Sequence, residues 1–118
     1  MKAEPIKEDV IQEQCIQWFK LRHRNRLIWH TPNGGKRNYY EAAKLKRLGV
    51  TPGVPDLAIM EPSGAFHGLF VELKAEKNGL TDHQKGMCQQ LADRGYRVEL
   101  CRSLEEFSRT VDGYFGVS

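Results

Sequence analysis

Asp56 follows Pro55 at the head of the apolar run LAIM, and Glu72 and Lys74 stand within the next one, GLFVELKA. Charged groups are costly in such places unless they are paired or bound to a metal. In a strand alternate residues share a face, so Glu72 and Lys74 project together while Val71 and Leu73 point the other way. If the two runs are neighbouring strands, Asp56 at the start of one approaches Glu72 near the end of the other. Two carboxylates then meet beside one ammonium. Close carboxylates repel unless something neutralises them. A hard divalent cation such as Mg²⁺ or Mn²⁺ does so, because it prefers carboxylate, carbonyl and water oxygens. The lysine can then orient or deprotonate a water, or stabilise negative charge developing on a phosphate. Neither motif is informative alone. Glu-x-Lys is common on solvated strand faces, and an acid after a proline can simply stabilise a turn. Their placement across a hairpin joins them into one candidate site.

The elements that must position these groups can be read from periodicity and punctuation. Residues 6 to 23 place Ile11, Cys15 and Trp18 in a helical stripe that Phe19 widens. The run RLIWH, 26 to 30, predicts a strand, stopped by the turn residues TPNGG. YYEAAKLKRL, 39 to 48, favours a helix that Gly49 ends. VTPGVP is loop, and residues 57–61 and 67–74 predict two strands joined by EPSGAFHG. Thr81 and Gln84 have the capping-box spacing and open a helix to about Arg94, ended by Gly95. YRVELC predicts a strand, and SLEE repeats the capping-box form before a last helix to about Val111. The order α, β, α, β, β, α, β, α indicates an α/β fold, with residues 1–118 as one domain.

Bulk properties narrow the classes. The chain has 118 residues, 40% hydrophobic and 28% charged, which suits one globular core. No apolar run approaches the roughly 20 residues of a membrane span, and the N-terminus lacks the apolar centre of a signal peptide. A cytoplasmic location is therefore expected. Cys15, Cys88 and Cys101 form no metal or redox spacing and read as small buried hydrophobes. The net charge of +3 is mild, yet Lys36, Arg37, Lys44, Lys46 and Arg47 face the single acid Glu41 between residues 36 and 47. That excess suits a polyanion, although a solvated helix face accounts for it equally well.

Pro55-Asp56 with Glu72-Leu73-Lys74 matches the signature of the PD-(D/E)XK nuclease superfamily. More closely, RLGVTPGVPDLAIM, GLFVELKAEKNGLTDHQKGM and LADRGYRVELCRSLEEF resemble the VRR-NUC (virus-type replication-repair nuclease) branch in its small stand-alone phage or bacterial form. The similarity runs from about residue 8 to residue 107. It implies a restriction-endonuclease-like α/β core, a central mixed four-stranded sheet flanked by helices. It also implies a metal-dependent endonuclease in which Asp56 and Glu72 bind Mg²⁺ or Mn²⁺, the Leu73 carbonyl completes the shell and Lys74 serves the attacking water. Stand-alone members of the branch are similar to Holliday-junction resolvases and act as homodimers on branched DNA, whereas other relatives cut flaps.

The family also uses an acid on its first helix. At about 100° per residue, Glu8 lies roughly 60° from the centre of the Ile11, Cys15 and Trp18 stripe, and Glu13 lies nearly opposite. Glu8 is therefore the expected third metal ligand, with Glu13 the alternative, although an acid at a helix N-terminus is also favoured by the dipole. Gln84 resembles a glutamine that the family places near the site, and its T-x-x-Q setting explains it equally well as a cap. His30 and Asn33 resemble polar positions near the family's substrate groove. His67 and His83 form no ligand pattern. In a DNA nuclease the glycines after Asn33 let the backbone approach phosphates, and Lys36, Arg37, Lys44, Lys46 and Arg47 neutralise them. Tyr39 and Tyr40 could stack on an exposed base or anchor the helix. Nothing in the chain suggests base-sequence readout. The leading reading is a structure-selective endonuclease on branched DNA. A flap or nicking nuclease, working as a monomer or with a helicase, and a non-catalytic DNA-binding accessory protein are the alternatives.

Overall fold

The structure is a computed structural model that describes residues 7–32, 39–75 and 77–117; the side chains of Tyr39 and Tyr40 also fall outside the description. Eight elements follow in the predicted order: α1 (Glu8–Arg22), β1 (Ile28–His30), α2 (Tyr39–Arg47), β2 (Leu57–Ile59), β3 (Leu69–Leu73), α3 (Asp82–Asp93), β4 (Arg97–Cys101) and α4 (Leu104–Phe115). They build a four-stranded sheet in the order β1-β2-β3-β4. The β1–β2 and β2–β3 pairs are antiparallel and the β3–β4 pair is parallel, so the sheet is mixed. A parallel neighbour requires a crossover connection, and α3 supplies it.

Helices α1 and α4 pack on one face of the sheet. Their Ile11, Cys15, Phe19, Phe107 and Val111 join Leu57, Ile59, Leu69, Val71, Leu73 and Cys101 in one buried cluster. The buried row of α1 is Ile11, Cys15 and Phe19, a correction to the expected stripe, because Trp18 stands half-buried at its margin with its edge on Phe107. The row therefore turns toward Glu8, since Phe19 lies about 100° beyond Trp18 on the helix. On the opposite face of the sheet, α3 packs over β4 and leaves a cleft of about 90 Å³ lined by Glu72, Leu80, Cys88, Val98, Glu99 and Leu100. Cys15 and Cys101 are buried, as expected, but Cys88 is only half-buried at that cleft.

Local sequence accounts for most boundaries. Thr81 and Gln84 form the complete reciprocal capping box at the start of α3. At α4 the repeat is incomplete. The Ser103 hydroxyl accepts the Glu106 N–H, but the Glu106 carboxylate takes the N–H of Arg102, one residue earlier than a capping box places it. Helix α4 runs on past Val111 to Phe115, where Gly116 closes it at φ 71°. Strands β1, β2 and β3 are shorter than predicted; past the Ile28–Ile59 pair the Met60 N–H still donates to the Leu27 carbonyl, but the Leu27 N–H is taken by the Glu61 carboxylate at 3.0 Å.

Candidate active site

Strand register brings the two acids together. Leu57 pairs with Val71, and that antiparallel register carried one residue further sets Asp56 opposite Glu72. Side chains in that relation share a face and interact. Asp56 is fixed by three hydrogen bonds. Its Oδ2 accepts the Leu73 N–H at 2.8 Å, its carbonyl accepts the Thr31 N–H at 2.8 Å, and the same carbonyl lies 2.9 Å from Nδ1 of His30. Pro55, fully buried, presets the chain entering this position.

The loop before Pro55 is held equally closely. Gly53 has φ +86°, and a Cβ there would stand 2.4 Å from the carbonyl oxygen of His83 in the first turn of α3. Only glycine fits both the left-handed backbone and the close approach. Gly53→Ala is expected to cost about 2 kcal/mol in urea denaturation. Gly49→Ala is the control. Gly49 also has a positive φ, +101°, but a Cβ there meets nothing within 4 Å. That substitution carries the backbone term alone and should cost about 1 kcal/mol; equal losses at the two positions would show that the contact with α3 is unimportant.

Glu72 is the most perturbed group in the site. It is 5% exposed, its Oε1 accepts from Nε2 of Gln84 at 3.3 Å, and its Oε2 is buried without a hydrogen-bond partner among the described residues. Burial pushes its carboxyl from the ordinary 4.5 up to about 8, helped by the neighbouring Asp56 carboxylate and more weakly by the charge of Glu8. Lys74 pulls in the opposite direction. Uncompensated burial beside a like charge is therefore the dominant feature of this carboxylate.

The remaining candidates divide into those gathered around Glu72 and those that are not. Lys74 follows β3 by one residue and continues the ladder, its N–H donating to the Cys101 carbonyl at 3.1 Å. Glu8, in the first turn of α1, accepts the Ala75 N–H on Oε1 at 3.4 Å, which places it by the end of β3; Glu13 is exposed on another face of α1. Gln84 both caps α3 and touches Glu72. Its Oε1 accepts the Thr81 N–H at 2.9 Å while its amide nitrogen reaches Glu72. His30 touches the backbone of Asp56, not its carboxylate. Lys44, Lys46 and Arg47 are exposed on α2. Asn33, Lys36 and Arg37 lie outside the described residues. His67 sits at the other end of β3, edge-on to Tyr96, and His83 contributes its carbonyl beneath Gly53; neither joins the acids. The Leu73 N–H was missed in the sequence, where nothing singles out a backbone donor whose partner is 17 residues away.

A buried oxygen without a donor, beside a second carboxylate, calls for a proton or a cation. Among the described residues no group of three His, Cys, Asp or Glu side chains stands together as a preformed metal cage. Mg²⁺ does not need one, since it keeps several waters and takes one or two carboxylates. Asp56 and Glu72 therefore fit such an ion, with Glu8 close by.

Comparison with known proteins agrees with this geometry. The family model for the VRR-NUC domain matches residues 6–105. A solved structure described as a VRR_NUC domain protein superposes with a TM-score of 0.80 at 29% identity, covering 98% of this chain and 93% of its own. A second, described as a VRR_NUC domain, superposes with a TM-score of 0.60 at 22% identity over 92% of this chain and 97% of its own, a likeness of fold. No curated protein matches the chain. Nucleases of this family generally use divalent metals. A match across residues 6–105 shows that the protein belongs to the VRR-NUC family and is a nuclease of the PD-(D/E)XK type whose substrate is DNA.

Proposed function

We propose that the protein is a structure-selective endonuclease that hydrolyses phosphodiester bonds in branched DNA, four-way junctions above all. The observation that carries this reading is the buried Glu72 Oε2, left without a donor beside Asp56 at the end of β3. Asp56 and Glu72 would hold Mg²⁺ or Mn²⁺, with Glu8 and the Leu73 carbonyl as further oxygen donors. Bound there, the ion would lower the pKa of a water and offset phosphate charge. Lys74 orients the attacking water or, through its ammonium, stabilises charge developing on the phosphate. Gln84 fixes the orientation of Glu72, and the Leu73 N–H fixes that of Asp56. Lys44, Lys46 and Arg47, with Lys36, Arg37, Asn33 and His30, engage the DNA backbone, so recognition is by charge and shape. One chain offers one such site, so symmetric cutting of a four-way junction requires a homodimer.

The test uses labelled four-way junction, flap and linear duplex, each with Mg²⁺, Mn²⁺ or EDTA. Junction cleavage well above that of linear duplex is expected with either metal, and none with EDTA. Preferential cutting of the flap by a monomeric protein would support the flap-nuclease alternative. Failure to cut any substrate with metal present would favour an accessory role in DNA binding.

A further inference from the structure

We propose that Trp29 forms a stacking platform for an unpaired nucleobase beside the carboxylate pair. This rests on the nuclease reading and extends it to how the enzyme meets a branch point. Ile28 packs against the core formed with α1 and α4, so its neighbour Trp29 projects from the other face of the sheet. That is the face of Asp56 and Glu72. Trp29 pairs with Ala58, and Ala58 pairs with Phe70, so a row runs across the sheet one strand step from the acids. Asp56 is the diagonal neighbour of Trp29, a relation that sets Cα atoms about 7–8 Å apart.

Among the described residues the Trp29 indole stacks on no other ring. Trp29 is 46% exposed on an edge strand, whereas Phe70, in the same row, rests edge-on against Tyr96 and is half-buried. The other tryptophan, Trp18, packs against His23 and Phe107. Leaving so large an apolar ring in water forgoes the stabilisation of burying it. A planar ring beside a phosphodiester site suits a base turned out of its duplex. Any base offers a π-face, so such a platform selects unpaired nucleotides without reading sequence. Charge favours the same occupant: the exposed Lys44, Lys46 and Arg47 of α2 give the protein a basic surface. Nucleic acid is attracted to that charge.

The experiment measures affinity in EDTA, where binding is read without turnover. Full-length wild type, Trp29→Ala and Trp29→Tyr are titrated with a single-stranded oligonucleotide containing 2-aminopurine and with fully paired duplex. Trp29→Ala is expected to weaken single-strand binding at least about fivefold, the low end of the loss of one base–aromatic stack. It should also abolish the 2-aminopurine quenching, while duplex affinity changes less than about twofold. Trp29→Tyr should retain both binding and quenching. Unchanged single-strand binding by Trp29→Ala, an equal loss on duplex, or a shift in sedimentation coefficient indicating a lost dimer would each overturn the platform alone. A wild type that binds neither DNA would remove the nuclease reading and the platform with it.

Discussion

Replacing Lys74 with alanine is expected to slow DNA cleavage by a factor of about 10²–10³, the range for losing one group that stabilises charge in the transition state. DNA affinity should change only a fewfold, because one positive charge among several is lost. The expectation follows from where Lys74 stands. It shares the strand face of Glu72, near enough for its charge to act on that carboxyl. Its hydrogen bond to the sheet is made by the backbone and survives the substitution. The measurement is single-turnover cleavage of a labelled junction beside an equilibrium binding assay. Normal cutting by Lys74→Ala would exclude this lysine from the chemistry. Loss of cutting together with a large fall in melting temperature would point instead to damage of the fold.

The second large effect concerns stability. In the metal-free protein Glu72 takes up its proton at about 8 when folded, against an ordinary value of 4.5. Between these values the folded chain holds a proton that the unfolded chain has released. Stability conferred by the neutral carboxyl is therefore present at low pH and lost as pH rises through that window. Glu72→Gln removes the titration. Its amide can accept from Gln84 on one side and donate to Asp56 on the other, so the unpaired Oε2 is replaced by a satisfied group. At pH 8 the variant should melt roughly 5–10 °C above wild type in EDTA, with little difference at pH 5. It should also be inactive, the trade expected where a site holds a strained ligand. Mg²⁺ should raise the melting temperature of wild type more at pH 8 than at pH 6, because the ion competes with the Glu72 proton. A variant no more stable than wild type at pH 8 would mean that the carboxyl is less isolated than its surroundings indicate.

The features legible in the sequence were those set by neighbours along the chain. Thr81 and Gln84 begin α3 because each satisfies the other's backbone, and Gly95 follows that helix with φ +91°. The meeting of Asp56 and Glu72 was legible because one register links two adjacent strands. Features set across the chain were not. Trp18 and Phe19 are equivalent in periodicity, and only the packing of α4 decides which is buried. The Glu8 contact with Ala75 spans 67 residues, and helical angle alone could only rank Glu8 above Glu13. The face taken by Trp29 depends on Ile28 docking in the core, which no local pattern in RLIWH announces.

Asp56 ties β1, β2 and β3 together through its carbonyl and its carboxylate, whether or not any chemistry takes place. A descendant that no longer cuts DNA would still need that acid to keep its three strands in step, but could discard the Lys74 side chain at little structural cost. Among related sequences, persistence of the aspartate then reports on architecture and persistence of the lysine on turnover. An inactive relative should be recognised by what replaces its lysine.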